Sequence, residues 1–155
     1  MPSPKYELLP PFFETVLKVK IPAAGTSGKF ISDMGLIVHE TEEISLPEIS
    51  KLLPSGIDAI SGVLREGNDA EYFANVFTDA NESGKWLLVA IENDVTHVML
   101  GYLKEISENG VLSQNGKEIP LRETTRVIVA VGNETLEKKI TYPYFMEMFG
   151  PIARI

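Results

Sequence analysis

Residues 86–91 read "WLLVAI" and run on as "ENDVTHVMLGYLKEI" to Ile106. Six uninterrupted apolar residues between polar flanks suit a strand covered on both faces, the kind found in parallel sheets. The segment that follows has a different period. Val95, Val98, Met99, Tyr102, Leu103 and Ile106 fall at i, i+3, i+4, i+7, i+8 and i+11, which predicts an amphipathic helix stopped by Asn109-Gly110. A buried strand leading into such a helix is the repeating unit of an α/β layered domain.

Working outward, the same signals recur. Residues 126–131, "RVIVAV", form a second buried-type strand. Between the two lies "VLSQNGKEIPL", a hairpin that turns at Asn115-Gly116, the favoured pair for a two-residue turn. Upstream, residues 69–82 place Ala70, Phe73, Ala74, Phe77 and Ala80 on one helical face, with Asp69 as cap and Ser83-Gly84 as stop. Residues 57–66 read as a short helix. Residues 41–56 are acidic and broken by Pro47 and Pro54. Residues 36–39, "LIVH", favour a strand, since Gly35 interrupts any long helix. Residues 14–21, "ETVLKVKI", alternate and read as a strand leading into the loop "PAAGTSG". Residues 1–13 carry four prolines and read as an extended arm. After Gly132-Asn133, a short helix is expected at 134–139, a helical turn at 144–149, and a short strand in "PIARI". The expectation is an arm, 1–13, and one α/β domain, 14–155. The domain has three layers, a largely parallel central sheet, flanking helices and an inserted β-hairpin.

Composition narrows the function. The 155 residues suffice to bury a core without staples. No apolar run approaches the length of about 18 residues that crosses a bilayer, and the N-terminus, Met-Pro-Ser-Pro-Lys, opens no signal peptide. There are no cysteines, so disulfides, thiolate metal sites and cysteine nucleophiles are excluded. A reducing cytoplasm is the expected setting. His39 and His97 are the only histidines, which rules out a histidine-rich metal site. The net charge of −8 argues against a broad nucleic-acid surface.

Together these pieces resemble the core of AAA+ ATPases. "FTDANESGKWLLVAIEND" is similar to the helix leading into the Walker B strand. "VMLGYLKEISENGVLSQNGKEIPLRETTRVIVAVGN" is similar to the helix, hairpin and sensor-1 strand, with Asn133 at the sensor-1 position. "YPYFMEMFGPIARI" is similar to the segment where family members carry an arginine finger just before Phe-Gly. The loop "AAGTSGKF" falls where Walker A belongs. The resemblance spans residues 14 to 155 and implies a nucleotide site in which Thr26, Ser27, Gly28, Lys29, Glu92 and Asn133 face ATP or another nucleotide.

The motifs depart from the chemistry they resemble. Walker A needs glycines whose backbone N–H groups cradle phosphate, a lysine for the β/γ-phosphates, and a hydroxyl on magnesium. Gly28 and Lys29 match. Ala23 replaces the first glycine, Thr26 replaces another, and Phe30 replaces the hydroxyl. Walker B ends in Asp-Glu, whereas this strand ends Ile91-Glu92-Asn93. In one register the aspartate is lost; in the other Glu92 stands for it and Asn93 leaves no base. The finger position holds Met148.

Each candidate also has a structural reading. The Gly-Lys loop fits a solvated connection. Asn93 or Asp94 fits the cap of the following helix. Asn133 fits a turn after glycine. His39, beside Glu40, Glu42 and Glu43, is one histidine among carboxylates, a low-specificity metal signal. His97 and Arg154 fit surface positions, and Trp86 fits core packing. No Gly-x-Ser-x-Gly elbow accompanies the serines. The basic residues Lys104, Lys117, Arg122 and Arg126 near the hairpin are offset by Glu105, Glu108, Glu118 and Glu123.

The expected function is a non-hydrolytic or weakly nucleotide-binding AAA+-like domain that acts through a protein partner or self-association. The rival expectation is a small acidic α+β interaction module without nucleotide. The order and direction of the strands at 86–91 and 126–131 separate the two.

Overall fold

In a computed structural model, the described residues are 9–18, 34–114, 116–122, 124–139 and 145–155. The chain runs α1 (Leu9–Lys18), β1 (Met34–His39), α2 (Leu46–Lys51), β2 (Ala59–Leu64), α3 (Ala70–Ser83), β3 (Trp86–Ile91), α4 (His97–Asn109), β4 (Val111–Gln114), β5 (Lys117–Pro120), β6 (Val127–Gly132) and β7 (Phe149–Arg154). A π-helical turn (Thr135–Lys139) and a 3₁₀ turn (Phe145–Met148) join β6 to β7.

Five strands form one sheet in the order β2-β3-β6-β1-β7, and each neighbouring pair is parallel. The strands at 86–91 and 127–132 lie side by side, with Ala90 opposite Ala130. The rival α+β arrangement is thereby excluded. β4 and β5 form the expected antiparallel hairpin, separate from the sheet.

Alternation along the strands explains the three layers. Leu87, Val89 and Ile91 of β3 join Val127, Val129 and Val131 of β6 in one core, roofed by Phe73 and Phe77 of α3 and Leu103 of α4. Trp86, Leu88 and Ala90 join Ile128 and Ala130 in a second core on the other face, with Phe12 of α1 and Ile49 of α2. A strand with both faces buried has no polar positions to spare, hence the unbroken apolar runs.

Four local expectations change. Residues 14–18, expected to begin a strand, belong to α1, and so do residues 9–13 of the expected extended arm. The alternation in "ETVLKVKI" is overridden by a helical stripe of Phe12, Phe13 and Val16, all buried. Phe12 meets the backbone of β1 where Gly35 has no side chain; a Cβ there would lie 2.7 Å from the ring. Residues 57–66 are not a helix: they contain β2, where Ser61-Gly62 oppose helix and Gly62 gives room to Val76 of α3. The broken acidic stretch contains α2, with Ser45 as N-cap and Pro47 in the first turn, where proline is tolerated. α4 is capped by Thr96, whose hydroxyl accepts from Met99 N–H at 3.3 Å, rather than by Asn93 or Asp94. Its buried face is Met99, Leu100, Leu103 and Ile106, while Val98 is 67% exposed.

Other expectations hold. Asp69 caps α3 through Tyr72 N–H at 2.9 Å, and Gly84 ends it with φ of 67°. Asn81, buried on α3, donates to the Pro120 carbonyl at 3.0 Å and accepts from Arg122 N–H at 3.2 Å, which ties the hairpin to the body. Among the described residues no helix is long and apolar enough to cross a membrane.

Candidate functional site at the carboxyl ends of the strands

Because the sheet is parallel, β1, β3 and β6 all end on one edge. The connections leaving β1 and β6, which are neighbours, go to opposite faces. Leu46 and Ile49 of α2, after β1, pack in the core with Phe12; Phe145 and Met148, after β6, pack in the core with Phe73. A crevice opens where adjacent connections diverge, and this is where open α/β sheets take ligands.

A cavity of about 590 Å³ lies at this edge. Its polar lining residues are Glu42, Glu43 and Glu92, together with Ser45, Asn93 and Thr135. Its apolar wall is Ile44, Leu46, Val63, Ala90 and Ile91. No lysine or arginine lines it among the described residues.

Glu42 spans the crevice. Its Oε2 accepts from Glu134 N–H at 3.0 Å, and its Oε1 accepts from Thr135 N–H at 3.1 Å and from the Thr135 hydroxyl. The carboxylate lies over the bare backbone of Gly132, where a Cβ would collide with it. Two backbone N–H groups and a hydroxyl converging on one carboxylate are the donors that would otherwise face an external oxyanion. The chain's own acid fills that position.

The other groups are loosely held. Glu92 donates its N–H to the Leu64 carbonyl at 3.0 Å, which continues the β2–β3 ladder. Its side chain pairs with Arg65 at 3.6 Å, both about half exposed. His39 ends β1, and its Nε2 is buried without a hydrogen-bond partner among the described residues. Burial holds its pKa below the usual histidine value. Among the described residues no three His, Asp or Glu side chains converge as a metal site, so His39 and its neighbouring glutamates do not assemble one.

Glu92 and Asn133 follow the ends of neighbouring strands, Ile91 and Gly132, at the same edge of the sheet; Glu92 lines the cavity and Asn133 does not. Thr26, Ser27, Gly28 and Lys29 lie outside the described residues. The strand entering the middle of the crevice is β1, which begins after Lys29; the residues that follow it are 40–45, "ETEEIS". Met148, at the finger position, is buried in the core beneath β7. Sequence reading named Glu42 only as a neighbour of His39 in a weak metal signal, and passed over Thr135. The available signal was an acidic run placed directly after an apolar "LIVH", a strand end rather than a generic acidic loop.

The sheet order and the crevice define an α/β fold with a parallel five-stranded sheet wound in both directions from its middle. The chain is similar to the solved structure of the S. cerevisiae Hsp104–ADP complex, with a TM-score of 0.58 and 12% identity. The match covers 79% of this chain and 29% of that one, so the chain spans under a third of that protein's length. At this identity the likeness shows the fold alone. No protein-family model matches the chain, and a search of curated protein sequences returns no match.

Proposed function

We propose that the chain is an AAA+-like domain that does not hydrolyse nucleotide and acts through contacts with a protein partner or with itself. The observation that carries this reading is the Glu42 carboxylate seated on Thr135 across the crevice. A nucleoside triphosphate is polyanionic. Here it would meet Glu42, Glu43 and Glu92 and, among the described residues, no lining cation, which is repulsive at short range. Asn93 and Met148 supply neither base nor cation. What is left is a rigid α/β scaffold with an acidic, open edge, suited to recognition rather than to phosphoryl transfer.

The loop bearing Thr26, Ser27, Gly28 and Lys29 is the remaining route to ATP or another nucleotide, and it has its own test. Melting of the intact chain and of Lys29→Ala is followed with and without millimolar magnesium ATP, alongside phosphate release. The proposal expects no shift and no release above the protein-free blank. A shift in the intact chain that disappears in Lys29→Ala would restore a nucleotide role.

A further inference from the structure

Resting on that reading, we infer that the cavity at the carboxyl ends of the strands receives an arginine or lysine side chain carried by a basic segment of a protein partner. The cavity's two kinds of lining fit such a side chain. Leu46, Val63 and Ala90 offer an apolar wall for the aliphatic stem, while Glu43 and Glu92 are the acidic lining residues within reach of the charged head. Glu42 is committed to Glu134 and Thr135 and is not counted on to bind the newcomer. Glu43 is exposed and takes part in no ion pair among the described residues.

Charge complementarity selects the occupant. The chain carries a net charge of −8, and among the described residues the cavity is lined by three glutamates and by no lysine or arginine. Arg65, which does not line the cavity, already pairs with Glu92. Its pairing with Glu92 is long, at 3.6 Å, and half exposed, so a second cation can share or replace it at little cost. An anionic or purely apolar segment would leave Glu43 without compensation and Glu92 with only its long pairing to Arg65. Encounter with a basic segment is also favoured by the long-range field, which salt screens.

The test uses the full chain, labelled with ¹⁵N, and two capped peptides as probes. One is Ac-Ala-Arg-Ala-NH₂; in the other citrulline, neutral and nearly the same shape, replaces arginine. The arginine peptide is expected to move the amides of Ile44, Ala90, Ile91 and Asn93 with saturation. The effect should be about fivefold or more weaker for citrulline and should weaken with added salt. It should be lost in the double variant Glu43→Gln/Glu92→Gln, whose unperturbed amide spectrum elsewhere reports an intact fold. Equal response to citrulline, an undiminished response in the double variant, or shifts scattered away from these amides would overturn the inference. So would no response to either peptide. A parallel titration with magnesium ATP separates two failures. If neither peptide nor ATP moves these amides, the cation site fails and the non-nucleotide reading stands. If ATP moves them, that reading fails and the cation site fails with it.

Discussion

Glu42 and Thr135 are joined across the crevice between β1 and β6, the carboxylate accepting from both the Thr135 N–H, at 3.1 Å, and its hydroxyl. Thr135 is 3% exposed, so its polar groups rely on this partner. Glu42→Ala is expected to lower unfolding stability by about 1–2 kcal/mol, because buried donors lose their acceptor. Glu42→Gln, which keeps an acceptor oxygen, should cost less. Gly132→Ala should resemble Glu42→Ala, since the added methyl displaces the same carboxylate. Urea titrations of the three variants check the order; an unchanged midpoint for Glu42→Ala would show that the contact contributes nothing.

Phe12 makes α1 part of the domain. It is fully buried and lies against Gly35. Phe12→Ala should cost about 3–5 kcal/mol, the usual range for removing a buried aromatic ring. A loss under about 1 kcal/mol, typical of a surface site, would return α1 to the status of a loosely attached arm.

His39 gives the stability a pH dependence of known sign. Its folded pKa is lowered by burial, so the folded protein binds the proton less readily than the unfolded chain. Stability is therefore full above the ordinary histidine value, 6.5, and declines as pH falls below it through the lowered folded value. His39→Gln should flatten the thermal-melting profile over that window. Parallel profiles for the two proteins would remove His39 as the cause.

Tyr72 and Asn68 close part of a sheet edge. β2 is an outer strand, and both main-chain groups of Val63 point away from β3. They are taken up by side chains: Val63 N–H donates to the Tyr72 hydroxyl at 3.0 Å, and Asn68 Nδ2 donates to the Val63 carbonyl at 2.8 Å. Unpaired edges invite another strand. The double variant Tyr72→Phe/Asn68→Ala should self-associate more strongly than the parent in sedimentation velocity over a concentration series. Identical profiles would show that these groups do not guard the edge.

The parts of the fold legible in the sequence are those where one period dominates. Trp86–Ile91 and the 126–131 run have two buried faces and no polar interruption, and each lands on its strand to within a residue. Asp69, Gly84 and Asn115-Gly116 announce themselves through capping and turn chemistry. The misread elements are those whose identity depends on a distant partner. Residues 14–18 alternate as a strand would, yet Phe12, Phe13 and Val16 form a helical stripe once β1 and β7 stand beneath them. Residues 57–66 could be helical alone, but an open edge beside β3 and the side of Val76 make Ala59–Leu64 a strand. What was legible of the candidate site is where two of its residues sit in the sheet. Glu92 and Asn133 follow apolar strands, which places them at strand ends. Glu42 reaches Thr135 over 93 positions, a separation no local pattern reveals.

The account stands or falls on whether the crevice is closed to nucleotide. Its most direct test is a titration of the ¹⁵N-labelled chain with magnesium ATP to millimolar concentration, read at the amides of Glu42, Ala90, Glu92 and Thr135. The account predicts that these resonances stay where they are, in the intact chain and in Lys29→Ala alike. Saturable movement of the four in the intact chain, abolished by Lys29→Ala, would contradict it.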